Sequence, residues 1–353
     1  MNIPAKAIEA VADHGGSLGR ARSLFPHAPE PWVDLSTGIN PHSYPLFDLP
    51  ATALTRLPEP AQARDLAAVA ANAYGAPSPR HVALAPGTQI LLPQVFSLVK
   101  PGRAVVLGPT YAEHVRVASL AGHSAVEVPD FAMLADADLA VVVNPNNPDG
   151  RIVPRSDLLA LAETLRRRGG LLIVDEAFMD VGPRRESLCG DAEQCGIVVL
   201  RSFGKFFGLA GVRLGFAIAS PDIVERLDAG FGPWSVSGPA LEYGIRALVD
   251  TGWQESMRDR LAAEAARLDA MLAGHGVVAD GGTSLFRHLT SSDAPDLFDT
   301  LGNAGILVRN FADRPHQLRF GLPLTESEWS RLQTALAVWS ANRGGSMRAA
   351  ASR

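Results

Sequence analysis

Residues 202–216 read SFGKFFGLAGVRLGF and hold one lysine, Lys205, among phenylalanines, glycines and aliphatic side chains. An ammonium in apolar surroundings is costly, so such a lysine tends to lose its proton or its charge. The free amine is the form that attacks a carbonyl. Ser202 lies three residues before it and Arg213 eight after, and a hydroxyl with a guanidinium can hold a phosphate. An amine for an aldehyde beside a phosphate-binding pair points to pyridoxal 5′-phosphate (PLP).

The other residues that could serve this chemistry follow short apolar runs. In open α/β sheets ligands bind at the carboxyl ends of the strands. After VALA comes Pro86-Gly87-Thr88-Gln89, leading into a helical stretch. A glycine there lets the backbone approach a ligand, and a helix start offers unbonded N–H groups to a phosphate. Plain capping accounts for Gly87 and Thr88 taken alone. After VVLG comes Tyr111, whose ring could stack on a flat heteroaromatic. After LAVVV comes the turn NPNNPDG, whose Asn147 could donate to a phenolate oxygen. After LLIV comes Asp175, then Glu176, Ala177 and Phe178. A carboxylate behind a buried strand needs a partner; a protonated pyridine nitrogen is one, a capped helix or a nearby arginine another. The order of these residues, all at strand ends, carries more weight than any one of them.

The elements that would position them are legible as texture. Seven apolar runs predict strands: His81–Ala85, Ala104–Leu107, Ala125–Val128, Leu139–Val143, Leu171–Val174, Ile197–Leu200 and Leu214–Ala219. Continuous rather than alternating hydrophobicity suggests burial on both faces. SDLLALAETLRRRGG, ending in basic residues and glycine, predicts an intervening helix. The pattern is that of an α/β sheet covered by helices. The first fifty residues, rich in proline and glycine, read as an extended arm. Residues 240–273 carry a helical repeat at Leu241, Ile245, Leu248, Leu261, Ala265, Leu268 and Leu272. Strand-like pieces follow at Ser284–Leu289, Ile306–Arg309 and Gln317–Gly321, then a helix over Glu326–Asn342. This organisation predicts an arm over 1–45 that joins the small domain, a large cofactor-binding domain over 46–230, a small α+β domain over 231–343 and a disordered tail over 344–353.

Composition narrows the class. The 353 residues are 47% hydrophobic and 20% charged with a net charge of −5, which gives no support to a nucleic-acid surface. No apolar run reaches the ~18–20 residues of a membrane helix. The opening MNIPAKAIEAVADHGG lacks the apolar core of a secretory signal, and Cys189 and Cys195 cannot build a zinc site or a disulfide framework. Both points suggest a reducing cytoplasm and no metal. No G-x-G-x-x-G follows the first strand, which argues against a dinucleotide-binding sheet.

With these motifs in place, the chain over about residues 30–342 resembles the fold-type I PLP enzymes, the class I/II aminotransferase superfamily. The closest branch holds the histidinol-phosphate aminotransferases and the threonine-phosphate decarboxylases of cobalamin synthesis. The resemblance implies a three-layer α/β/α PLP-transferase fold with a mostly parallel seven-stranded sheet, a small α+β C-terminal domain and a homodimer. It also implies that Lys205 holds the cofactor aldehyde as an imine, that Asp175 pairs with the ring nitrogen and Asn147 with O3′, and that Tyr111 stacks on the ring. Gly87, Thr88, Gln89, Ser202 and Arg213 would cradle the cofactor phosphate. Arg319, in QLRFGLP, matches the arginine for the substrate α-carboxylate, with Arg309 a candidate for a distal phosphate. Three features separate the two activities. The opening HGG and the STGINP segment are similar to the start of the decarboxylases, which places His14, Gly15, Gly16 and Asn40 near a phosphorylated amino-acid substrate. The tyrosine usual after D-x-A is Phe178, which removes one hydrogen bond to O3′. The aminotransferase R-Y-P-D motif reads Arg56-Leu57-Pro58-Glu59, and Leu57 cannot reach a partner's cofactor phosphate. The expected reaction is decarboxylation, with a histidinol-phosphate-type aminotransferase as the alternative.

Overall fold

A computed structural model describes residues 15–194 and 196–351, with side chains through Arg343; His14 and Cys195 lie outside the described residues. Two compact units form. One is Ser43–Glu255 and the other joins residues 15–42 to the chain from Ser256 onward. The strands are β1 (Val33–Leu35), β2 (Val82–Ala85), β3 (Arg103–Leu107), β4 (Ser124–Val128), β5 (Leu139–Val143), β6 (Leu171–Asp175), β7 (Ile197–Ser202), β8 (Gly215–Ala219), β9 (Gly281–Thr283), β10 (Phe286–Thr290), β11 (Ile306–Asn310) and β12 (Gln317–Gly321).

The larger unit is built on a seven-stranded sheet of order β2-β8-β7-β6-β5-β3-β4. All seven expected strands form. β3 pairs in parallel with β4 and β5, and β5, β6 and β7 continue in parallel; β8 alone runs antiparallel to both its neighbours. Every residue of β5, β6, β7 and β8 is buried. Helices cover the faces, which is why these strands read as unbroken apolar runs. The helix Thr88–Phe96 sends Leu91, Leu92, Val95 and Phe96 onto Val106, Val141, Ile173, Val198 and Ala217. The helix Arg155–Arg166 buries Leu158, Leu161, Ala162 and Leu165 at helical spacing.

The smaller unit holds a five-stranded sheet of order β1-β11-β12-β10-β9, antiparallel except for β1 on β11. The arm therefore contributes structure of its own. Val33 and Leu35 are core residues of β1, and a helix precedes them at Leu18–Leu24. Phe25 packs on Phe298 of the helix Ala294–Asn303 with ring centroids 5.6 Å apart. That helix was not foreseen, because proline, aspartate and glycine dilute its Leu297–Leu301 repeat.

Three further departures have local causes. The helix expected over 240–273 is two helices, Gly238–Val249 and Thr251–Gly274, since Asp250 ends one and its carboxylate accepts the Trp253 N–H of the next at 3.0 Å. Residues 231–255 cluster with the larger unit rather than after it. There Gln62 donates to Glu242 at 3.1 Å and Phe47 meets Tyr243 with ring centroids 4.5 Å apart. The closing helix runs Glu326–Ala351, past the expected end at Asn342, through alanine, arginine and methionine and with no proline to stop it.

The reversed β8 starts where its neighbours end, so Gly215 faces Ala85 of β2 and Ser202 of β7. A Cβ on Gly215 would lie 2.6 Å from the Thr88 backbone nitrogen. Gly215→Ala should therefore cost about 1–3 kcal/mol, read as a lower urea midpoint with unchanged slope.

Candidate active site

The first group of side chains gathers where β8 reverses. The chain passes from β2 through Gly87, at φ 94°, into the helix Thr88–Phe96. An α-helix leaves its first N–H groups without intrahelical partners; here Thr88 and Gln89 carry them. A Cβ on Gly87 would meet Arg213 Nη2 at 2.6 Å, so only glycine leaves room for the guanidinium over this helix start. Arg213 sits in the left-handed region at φ 56°, directed by a bond from its Nη1 to Ala210 O at 3.1 Å. Ser202, buried, ends β7 on the other side of β8. Helix N–H groups, a hydroxyl and a guanidinium thus meet at one sheet edge, donor types that suit an anion. The side chain of Gln89 has partners of its own. Its side chain accepts from Tyr111 Oη at 3.2 Å and donates to Glu113 Oε2 at 2.7 Å, which Arg116 also reaches at 3.2 Å.

Asp175 closes β6 at 8% exposure. Its Oδ1 accepts the Ala177 N–H at 3.0 Å, and its Oδ2 lies 3.0 Å from Nε2 of His114, which is fully buried. His114 starts the helix Glu113–Leu120 after β3, one turn from Tyr111, and the two rings meet edge to face at 5.7 Å. His114 and Glu113 are the residues that sequence reasoning missed. Their signal, a histidine three positions after Tyr111, carries no meaning until β3 and β6 share a sheet.

Lys205 lies half-buried in the short helix Phe203–Phe206, its Nζ 5.8 Å from the centroid of the buried Phe178 ring. Phe203 and Phe207 stack at 4.5 Å, and Phe207 stacks on Trp253 at 5.7 Å. In the NPNNPDG turn, Asn144 exchanges two bonds with Val153, of 2.9 and 3.1 Å. Asn146 accepts from Thr110 at 2.7 Å and donates to Pro109 O and Asp149. Two asparagines are spent on the turn, and the half-buried Asn147 is the third.

Behind this edge lies a buried ion cluster. Arg201, next to Ser202, bonds Glu176, next to Asp175, at 3.0 Å, and Asp180 at 2.6 Å, and covers the Tyr74 ring at 4.3 Å. Burial raises the Glu176 carboxyl above its usual value, with Arg201 opposing. Burial likewise pushes the neighbouring Cys189 thiol well up, and it is a free thiol.

In the smaller unit, Arg309 of β11 and Arg319 of β12 are direct cross-strand partners. Such partners share a face, so two like charges stand side by side. Arg319 is buried over Phe286 and donates from Nη2 to Ser36 O at 2.9 Å. Burial first, then the Arg309 charge, lowers its pKa to about 9, while Asp34 acts against them. An anion would relieve both effects. Gly15 and Gly16 lie on Ser36: a Cβ at Gly15 would overlap the Ser36 carbonyl oxygen, and Gly16 N–H donates to Ser36 Oγ at 2.7 Å. The buried Asn40 accepts the His42 N–H at 2.9 Å.

Arg201→Met should leave two acidic groups buried without their cation. A loss of about 3–5 kcal/mol is expected in a denaturant titration.

Comparison with known proteins places this geometry. Residues 59–336 match the family model of aminotransferase class I and II. The chain is 42% identical to a threonine-phosphate decarboxylase of Pseudomonas aeruginosa and 41% identical to one of a Sinorhizobium species, in both cases over 92% of this chain and 97% of the relative. Among solved structures, a histidinol-phosphate aminotransferase of Sinorhizobium meliloti in complex with pyridoxal-5′-phosphate superposes with a TM-score of 0.80 at 20% identity, covering 97% of this chain and 98% of that one. At that identity the likeness concerns the fold. The chain belongs to the aminotransferase class I and II family.

Proposed function

We propose that the protein decarboxylates L-threonine O-3-phosphate to (R)-1-aminopropan-2-yl phosphate, a cobalamin side-chain precursor, with PLP as cofactor. The observation that carries this choice is the 41–42% identity to two threonine-phosphate decarboxylases over nearly their full length.

The larger unit fits the cofactor. The cradle that a Cβ on Gly87 would fill suits its phosphate, together with Ser202 and Arg213. Asp175, kept as an acceptor by the His114 N–H and the Ala177 N–H, suits a protonated ring nitrogen. Tyr111 is tied to Gln89 and offers a ring face for stacking, and Asn147 a donor for O3′. Phe178 presents an apolar ring where the resembling aminotransferases carry a hydroxyl. When bound, PLP supplies an electron sink, and the Cα bond that stands perpendicular to its ring is the one that breaks.

On this reading the chain's own residues select that bond. Lys205 would hold the cofactor aldehyde until the substrate amine takes that place, and would take up the proton that the substrate ammonium gives up. As CO₂ leaves, the Lys205 ammonium would return that proton to Cα. Lys205 Nζ stands 5.8 Å from the centroid of the buried Phe178 ring. Arg319 takes the α-carboxylate, and its guanidinium, with one N–H fixed on Ser36 O, has further donors for it. Arg309 takes the distal phosphate. Gly16 N–H is spent on Ser36 and does not donate to substrate. His14, Gly15 and Asn40 complete the proposed substrate side.

A homodimer accompanies this reading. Leu46, Leu54 and Leu57 stand exposed within residues 46–57, and Trp234, at φ 64°, is exposed as well; large exposed apolar side chains of this kind suit an interface. Sedimentation should give twice the 37.4 kDa chain mass. The free Cys189 thiol accords with a cytoplasmic location.

Incubation of the purified, yellow enzyme with L-threonine O-3-phosphate and no oxo-acid should release CO₂. No reaction until 2-oxoglutarate is added would instead favour an aminotransferase. Lys205→Ala should lower turnover by about 10³-fold or more with the fold intact. Arg319→Ala should raise KM by about 100-fold, since two charge-assisted bonds are lost. Near wild-type rates in the lysine variant would end the proposal.

A further inference from the structure

We propose that Ser36 is a positioning residue that joins the glycine loop to the carboxylate-binding arginine and so sets how strictly a phosphorylated substrate is demanded. This deepens the functional reading above and rests on it.

Four hydrogen bonds from three residues meet at Ser36. Its carbonyl oxygen accepts Arg319 Nη2 at 2.9 Å. Its hydroxyl accepts the Gly16 N–H at 2.7 Å and donates to Asp34 Oδ1 at 2.6 Å. The same Asp34 oxygen accepts the Ser36 N–H at 2.9 Å, so the carboxylate fixes both backbone and side chain. A hydroxyl is the smallest group that donates once and accepts at the same time, and the arrangement uses both capacities. Ser36 is 2% exposed. The Gly15 approach leaves no space for a side chain between loop and carbonyl.

Ser36 follows directly on β1, which pairs with β11 at Val33–Ile306, Asp34–Leu307 and Leu35–Val308. Arg309 continues β11 one residue beyond that register and faces Arg319. Loop, serine and both arginines are therefore fixed to one sheet edge. Asp34 stands close enough to Arg319 to favour its charge. The contacts at Ser36 thus connect the arginine proposed for the carboxylate, beside Arg309 proposed for the phosphate, with the glycine loop proposed for the substrate side. Deleting the hydroxyl leaves the Arg319 bond to the carbonyl in place and releases the loop. The effect should then fall on discrimination between substrates with and without the phosphate, more than on turnover.

The test compares wild type, Ser36→Ala, Ser36→Thr and Asp34→Asn as holoenzymes. Two quantities are read: hydrogen exchange of the peptide spanning Gly15–Leu24, and the ratio of kcat/KM for L-threonine O-3-phosphate over L-threonine. Ser36→Ala should speed Gly16 amide exchange by about tenfold and lower the ratio by about tenfold, and Ser36→Thr should restore both to within about threefold. Cofactor absorbance should not change. Exchange and ratio both within twofold of wild type in Ser36→Ala would overturn the proposal. Should Ser36→Ala fail to fold, Asp34→Asn decides: faster exchange with a lower ratio supports the role, and unchanged values refute it. If wild type releases no CO₂, the functional reading fails by itself. The ratio is then taken with histidinol phosphate over histidinol in the presence of 2-oxoglutarate, and the same two outcomes judge Ser36.

Discussion

A carboxylate at the end of a strand buried on both faces is the constraint from which the larger unit can be understood. Asp175 is ionisable, 8% exposed and one peptide from the apolar run of β6. A charge so placed persists only with partners. The protein supplies two donors, the Ala177 N–H and His114 Nε2. His114 must then be buried as well, and it is packed between Phe96, at 6.5 Å, and Tyr111, at 5.7 Å. Tyr111 in turn is held by Gln89, and Gln89 by Glu113. One buried carboxyl group therefore orders a chain of side chains that reaches the start of the helix Thr88–Phe96. The Arg201–Glu176–Asp180 cluster fastens the same two strand ends from behind, since Glu176 follows Asp175 and Arg201 precedes Ser202. It leaves little freedom for the distance between the acidic group and the segment carrying Lys205.

The second determinant is a direction of chain travel. Six strands of the sheet run the same way and present their carboxyl ends to the site. β8 runs against them and presents its start. Arg213, two residues before β8, thereby arrives at the edge where the helix Thr88–Phe96 begins and where Ser202 ends β7. No parallel connection of comparable length could return the chain to that edge. The seven residues between Lys205 and Arg213 are enough for a short helix, a turn and this reversal.

Much of this was legible in the residues. The seven strands stood out because burial on both faces removes polar positions, and the site residues stood out because each follows such a run. What escaped notice depends on pairing that a linear pattern does not encode. His114 acquires a meaning only when β3 and β6 come into one sheet. Gln89 was assigned to the phosphate by its place after Gly87, yet its side chain is committed to Tyr111 and Glu113. Of the three asparagines in the turn, Asn144 and Asn146 are staples, which composition does not reveal. The arm read as extended because prolines and glycines dominate it. The three residues of β1 are too few for a periodicity, and pairing with β11, distant in sequence, makes them a strand.

The paired arginines carry the argument from fold to selectivity. Directly opposed like charges on neighbouring strands repel, and burial of Arg319 strengthens the repulsion by removing water. Asp34 offsets part of it. A ligand with a single carboxylate would neutralise one guanidinium and leave the other beside it. A ligand with both a carboxylate and a phosphate neutralises the pair, so each anionic group gains from the presence of the other. On the proposed reading this makes the phosphate more than a handle for affinity. With both ends of a small amino acid fixed, rotation about its N–Cα bond is restricted, and the orientation of the carboxylate, hence the bond that breaks, follows from anchors several bonds away from Cα.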